Sequence, residues 1–228
     1  MGRSLGVNLV RAKWCTFDCL YCQLGRTSER SLDRVVFMQL DELIVELREA
    51  LTRHTVDFVT LAGSGEPALH AQLAQIIAAI RRLTTTPIAV LTNGAFLHDG
   101  DVRAACGLAH VVLPTLAAHN EEQYQRIHRP CGSIHLKSHI DGLLAFREDQ
   151  PAASMWLELF LLEGLNAAEA DFGPFETLIQ RINPERIQIN TATQPAFDEA
   201  VCAVSPAKMR SWARRLGPRV EVVADLRD

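Results

Sequence analysis

The sequence predicts an α/β fold in which a parallel sheet curls into a partial (β/α)6 barrel. Short β-branched apolar runs alternate with longer amphipathic ones six times. That order calls for parallel strands joined by right-handed helical crossovers, and six units fall short of the eight that close a full barrel. The segments richest in Cys, Gly, Glu and Asn follow directly on runs read as strands, where loops leaving the C-terminal ends of parallel strands bind ligands. An open doubly wound sheet is the alternative arrangement of the same elements.

The six strands are read at residues 5–11, 57–62, 88–92, 110–114, 156–162 and 186–190, with a short seventh at 220–223. Each is a mostly apolar run bounded by Gly, Pro, Asn or a charge, as in strands buried on both faces. Helices are read at 40–53, 71–83, 99–105, 121–127, 136–147, 167–182 and 206–216. In the first, Leu40, Leu43, Ile44, Leu47 and Leu51 recur at helical spacing. In the last, Pro206 fits the first turn behind Ser205 as cap. No repeat, low-complexity tract or linker interrupts the chain, so residues 1–228 are read as one domain.

With 228 residues, 48% apolar and 22% charged, the chain has the material for one large core. A net charge of −4 gives no global pull toward nucleic acid or anionic membrane. Residues 1–34 nevertheless hold six Lys/Arg against three acids, +3 at this end and −7 over the rest. Such a rim suits an anionic cofactor, substrate or electron donor, and also reads as ordinary solvated charge. Residues 1–14 do not resemble a signal peptide, and no apolar run approaches the roughly 18 residues needed to span a bilayer. A cytoplasmic protein with reduced thiols is expected. Its six cysteines then point to a metal site plus leftover thiols. Cys106, Cys131 and Cys202 belong to no motif and are read as ordinary buried or partly buried thiols.

Cys15, Cys19 and Cys22 stand in WCTFDCLYC, a Cys-x3-Cys-x2-Cys run after the first strand. Thiolates are soft ligands for a metal or an iron–sulfur cluster. Structural zinc takes four ligands, usually from two knuckles, and a cluster that only carries electrons takes four cysteines. Three leave one iron open. Phe17, Leu20 and Tyr21 would shield such a group from water.

With its aromatic residue just before the last Cys, this run resembles the signature of the radical S-adenosylmethionine (radical SAM) superfamily. RSLGVNLV, CTFDCLYCQLGRT, VTLAGSGEP, AVLTNG and IHRP extend the likeness along nearly the whole chain, toward compact uncharacterised members distantly related to the wybutosine-synthesis enzymes. The resemblance implies a TIM-like partial barrel and a 4Fe-4S cluster on Cys15, Cys19 and Cys22. Its open iron would be chelated by SAM, which is cleaved to a 5′-deoxyadenosyl radical that abstracts hydrogen from a substrate. Gly63-Ser64-Gly65-Glu66-Pro67 resembles the family's Gly-Gly-Glu-Pro motif, with Ser64 in place of the second glycine and Glu66 as partner of the SAM ammonium. Alone, the segment also reads as a tight strand-to-helix turn. Thr92, Asn93 and Gly94 end strand three, under the SAM methionine by resemblance and in ordinary turn chemistry otherwise. Thr115 ends strand four, where relatives often carry a Ser for the SAM carboxylate or ribose; Ala117 replaces a common Asp. The resemblance further implies Gly164 against the adenine, Tyr21 offering its backbone to the adenine edge, and Asn190 with Thr191 reaching substrate or ribose.

His128-Arg129-Pro130 reads either as a solvated helix end or as a basic contact for a substrate carboxylate or phosphate. His54, His70, His98, His110, His119, His135 and His139 have no ligand spacing and read as surface or capping residues. An enzyme of this kind implies a one-electron donor, flavodoxin- or ferredoxin-like, and no membrane. A small metabolite is the first-choice substrate, since few aromatic residues offer base stacking. A tRNA base of the wybutosine-related type and a protein of the glycyl-radical type are the alternatives. A non-catalytic iron–sulfur or zinc module is the rival from another class.

Overall fold

The computed structural model describes residues 2–192, 198 and 201–223. In chain order its elements are β1 (Ser4–Val7), β2 (Trp14–Cys15), β3 (Glu29–Arg30), α1 (Leu40–Arg53), β4 (Phe58–Leu61), a 3-10 turn (Pro67–Leu69), α2 (Leu73–Leu83), β5 (Ile88–Thr92), α3 (Gly100–Gly107), β6 (Val111–Leu116), α4 (Glu121–His128), α5 (Leu136–Asp149), β7 (Ser154–Leu161), α6 (Glu169–Ile182), β8 (Arg186–Thr191), α7 (Pro206–Leu216) and β9 (Val220–Val222). Seven strands form one sheet in the order β1-β4-β5-β6-β7-β8-β9, every neighbouring pair parallel. The order never reverses. A doubly wound sheet needs a reversal to place helices on both faces, so the open-sheet alternative falls. Right-handed crossovers put the helices in one outer layer, where α1 packs on α2, α2 on α3, α3 on α5 and α5 on α6.

Side chains alternate across each strand, which divides the sheet into two faces. Val59, Leu61, Ile88, Val90, Leu157, Leu159, Ile187 and Ile189 join the core formed with the helices. The opposite face starts apolar, with Ala89, Val111, Leu113 and Trp156 against Phe58 and Leu91. Toward the strand C-termini and across β8 and β9 it becomes polar. Thr115 and Asn190 meet Glu158, Gln188 meets Glu221, and the Arg186 guanidinium lies 4.6 Å from the Trp156 ring centre. A core on one side and polar groups on the other is what a partial barrel requires of its concave face.

The first strand ends at Val7, short of the predicted residue 11. Asn8 Oδ1 accepts the Ser64 N–H, and Lys13 adopts a left-handed φ of 61°, so residues 8–13 leave the sheet and cross its upper edge. The predicted helix at 71–83 begins at Leu73, because the Glu66 side chain caps a separate 3-10 turn through the Ala68 N–H. Within β6, ladder partners stop at Val112 and resume at Thr115. Pro114 lies in that gap and has no N–H to donate.

Candidate active site: a three-cysteine loop facing a polar barrel mouth

The short β2–β3 pair, Trp14 opposite Glu29 and Cys15 opposite Arg30, closes the base of the cysteine loop. Inside the loop Phe17 is buried against Tyr124 and His128. Asp18 Oδ1 accepts the Thr27 N–H at 2.8 Å, while Oδ2 lies 3.2 Å from Arg26 and 3.8 Å from Arg129. The last carbonyls of a helix have no intrahelical donors. Here the carbonyls of Ile127 and His128 accept the N–H groups of Leu20 (2.9 Å) and Asp18 (3.0 Å), so the end of α4 holds the loop backbone.

Cys15, Cys19 and Cys22 all line one cavity of about 260 Å3 at the barrel mouth, and a smaller one of about 100 Å3 on their side toward Lys13, Leu24 and Gly25. Asn93 Nδ2 lies 3.4 Å from Cys15 Sγ, and His128 Nδ1 3.3 Å from Cys19 Sγ. Burial, with the Glu66 carboxylate adding to it, pushes the Cys15 thiol up to about 12. Burial and then the neighbouring Cys15 push Cys19 well above its ordinary value. These thiols stay protonated until a cation is present, which inverts that preference. Among the described residues no three His, Cys, Asp or Glu side chains converge on a single-ion site; the thiols surround a space. The Cys131 backbone N–H bonds to Thr16, but its thiol points to the Arg30 carbonyl and does not line the cavity. Among the described residues the sulfur donors facing the cavity are therefore three thiols, which fits a thiolate-held cluster with one corner free of protein sulfur.

The glycines of GSGEP serve the cysteine loop. A Cβ on Gly65 would lie 2.1 Å from the Trp14 carbonyl oxygen, and one on Gly63, whose φ is +118°, would overlap Asn8 Oδ1. The missing side chains let the Glu66 N–H reach Trp14 O at 3.1 Å. The close approach predicted for a ligand is thus made first to the backbone next to Cys15. Gly63 and Gly65 line both cavities and Ser64 the smaller one.

Glu66 is 2% exposed. Its Oε1 accepts from Thr92 Oγ1 (2.6 Å) and Ala68 N (3.0 Å), and its Oε2 from Asn93 N (2.8 Å). Burial raises its pKa against the lowering by these three bonds. Among the described residues no Lys or Arg nitrogen pairs with it within 4.0 Å. A buried carboxylate with a spare acceptor position and no cation favours an incoming ammonium. Asn93 Nδ2 also donates to Thr16 Oγ1 at 2.7 Å, so the TNG loop buttresses both Glu66 and Cys15.

Tyr21, Thr92, Asn93 and Thr115 line the larger cavity. The Tyr21 ring stacks on Phe160 at 3.9 Å. Asn190 reaches the cavity through Glu158, whose Oε1 it bonds at 3.0 Å while Thr115 Oγ1 bonds Oε2 at 2.6 Å. Glu158 was missed in the sequence, where it looks like an isolated charge inside an apolar strand. Alternation with Trp156 and Phe160 is the signal that assigns it to the concave face. Gly164 has a φ of +75°, lies in the turn after β7 and does not line this cavity.

Some readings are corrected. His128 is fully buried and held neutral, its pKa lowered to about 3 by burial and then by His139, so it offers no positive charge to an anionic substrate. Arg129 is committed to Asp18 and Asp198. His139 is buried rather than a surface residue, and burial lowers it to about 4; His70 is buried too, but its Nδ1 accepts the Gln72 N–H ahead of α2, a capping contact. Cys202 is exposed, not buried.

A family model for the Radical SAM superfamily matches residues 9–172, spanning the cysteine loop, the GSGEP turn and β4 to β7. The chain belongs to the radical SAM superfamily. Membership implies SAM and an iron–sulfur cluster as cofactors. A UPF0026 protein of Synechocystis is 33% identical over 195 residues, 85% of this chain and 72% of that protein. A protein named GTPase Obg in Brachyspira hyodysenteriae is 33% identical over 210 residues, 92% of this chain but only 31% of that protein. The Gly-x4-Gly-Lys-Ser/Thr loop that cradles nucleotide phosphates does not occur here. The fold is similar to TYW1, a wybutosine-synthesis enzyme, with a lysine-pyruvate adduct bound (TM-score 0.69, 17% identity, 94% of this chain and 72% of that one). It is also similar to Streptococcus suis SuiB bound to precursor peptide SuiA (TM-score 0.73, 12% identity, 97% and 49%). At these identities the likeness is one of fold. No helix among the described residues is long and apolar enough to cross a membrane.

Proposed function

We propose that this chain binds a 4Fe-4S cluster through Cys15, Cys19 and Cys22 and SAM in the adjoining cavity, and abstracts hydrogen from a small metabolite. One observation carries the reading: three thiols and the cation-free carboxylate of Glu66 face one cavity that no fourth cysteine enters. When bound, the cluster and SAM supply a 5′-deoxyadenosyl radical by one-electron cleavage, with the electron coming from a flavodoxin- or ferredoxin-like donor.

The chain's own part is binding, orientation and exclusion of water. Glu66 holds the SAM ammonium in a charge-assisted contact, prepositioned by Thr92 and the Asn93 N–H. Gly63, Ser64 and Gly65 supply backbone beside it. Thr115, Asn190 and Glu158 form a fixed polar edge for hydroxyl or amino groups of SAM or substrate, and the Tyr21 ring, backed by Phe160 and hydrogen-bonded to Cys19, forms a wall beside it. Among the described residues the larger cavity is lined by two carboxylates and no Lys or Arg, which favours a substrate that presents hydrogen-bond donors over an anionic one.

Anaerobic reconstitution with iron and sulfide, then incubation with SAM and dithionite, tests the reading. We expect about four irons per chain, in line with the cluster stoichiometry, and 5′-deoxyadenosine detected by mass. Alanine at any of Cys15, Cys19 or Cys22 should abolish both. A colourless zinc protein, or an iron-loaded one that leaves SAM intact, refutes it.

A further inference from the structure

The IHRP segment is not absorbed by SAM binding, and its histidine has an unusual setting. His128 is fully buried, in a cage of Phe17, Tyr21 and Tyr124 with ring centres 4.9, 6.0 and 5.0 Å away. Its Nε2 has no partner among the described residues, and its Nδ1 lies 3.3 Å from Cys19 Sγ. Packing alone is served better by an apolar ring, because an unpartnered buried nitrogen is costly. What the imidazole adds at this position is one ring nitrogen aimed at a sulfur.

The same helix end fixes donor and acceptor together. The Ile127 and His128 carbonyls bind the Leu20 and Asp18 N–H groups on either side of Cys19. The left-handed Arg129 that terminates α4 reaches back to Asp18. Cys19 and the His128 ring are therefore held in register by backbone bonds that do not depend on the ring. Asn93 Nδ2 stands in a corresponding place at Cys15.

We propose that His128 is a positioning residue whose Nδ1–H donates to Cys19 Sγ and raises the reduction potential of the iron–sulfur group the three cysteines hold. The inference rests on the cluster reading above. Hydrogen bonds to ligand sulfur stabilise the more electron-rich, reduced state of a cluster. Losing this one should shift the reduction equilibrium about tenfold, equivalent to about 59 mV for one electron.

The test uses the full chain, reconstituted anaerobically, as wild type, His128→Leu and His128→Asn. Asn carries an N–H at the position of Nδ1. Iron per chain and the midpoint potential are measured by EPR-monitored titration. We expect His128→Leu to keep its iron with a midpoint lower by about 59 mV, and His128→Asn to recover most of the shift. Iron loss without a change in midpoint marks a purely structural role and overturns the proposal, as does an unchanged midpoint in the Leu variant. A second measurement needs no variant: pulsed EPR of the reduced wild type, with histidine labelled by nitrogen-15, should show a weak nitrogen coupling. Its absence in an iron-loaded protein overturns this inference alone, whereas a wild type that takes up no iron overturns the cluster reading with it.

Discussion

Replacing Gly65 by Ala should damage the site from beneath. The added Cβ would sit 2.1 Å from the Trp14 carbonyl oxygen and 2.7 Å from Val10 Cγ2. A tolerable carbon–oxygen contact is about 3.3 Å, so the two backbones must part by about 1.2 Å. That breaks the 3.1 Å bond from Glu66 N to Trp14 O and strains the neighbouring one from Lys13 N to Ser64 O. Two such bonds are worth about 1–3 kcal/mol together, and overpacking adds about 1–3 kcal/mol. We expect Gly65→Ala to lose about 2–6 kcal/mol in urea unfolding of the apoprotein. The displaced Cys15 should also cut iron uptake on reconstitution. Gly164→Ala is the control. A Cβ there meets no atom within 4 Å, so only its φ of +75° opposes it, at about 1–2 kcal/mol with iron uptake unchanged. If Gly65→Ala unfolds within about 0.5 kcal/mol of wild type, as an ordinary surface change would, and loads iron normally, the close-approach argument is wrong.

Glu66→Gln removes the charge and leaves the Asn93 N–H facing an amide NH2. SAM affinity, measured by equilibrium dialysis, should weaken by about 10- to 100-fold, the range for one charge-assisted bond; an unchanged affinity removes Glu66 from the ammonium's partners. His139 predicts a pH dependence. Its folded pKa of about 4 lies below the ordinary 6.5, so the unfolded chain binds the proton first, and stability present above 6.5 is lost as pH falls toward 4. The groups facing the ring are Tyr124 OH at Nδ1, the His128 ring and the Thr115 backbone. At pH 5 the loss from this ring alone is about 2 kcal/mol, at 1.36 kcal/mol per unit. Urea unfolding at pH 7.5 and 5 should show His139→Phe sparing that amount, and a variant with the wild-type pH slope would refute the assignment.

The parts of the site legible in the sequence are those whose chemistry is local. Cys15, Cys19 and Cys22 fall within eight residues, so a common ligand is written in their spacing. The strand and helix periods alone place GSGEP and TNG at one end of the sheet. Helices 40–53 and 206–216 emerged with the predicted bounds because their signals are local, an apolar stripe in the first and a stripe behind the Ser205 cap in the second.

Tertiary structure decided what depends on distant partners. Whether the sheet is singly or doubly wound rests on the pairing order of strands, which periodicity does not encode. Glu158 becomes part of the mouth only because β6 and β8 flank β7 and bring Thr115 and Asn190 to its two oxygens. His128 reads as a solvated helix end until α4 docks over a loop more than a hundred residues earlier in the chain. Burial then strips its charge and leaves its Nδ1 facing Cys19. Ligand spacing is short-range and survives in the linear order of residues. Desolvation and the pairing of buried polar groups are set by whatever the fold packs around them, so they exist only once it has formed.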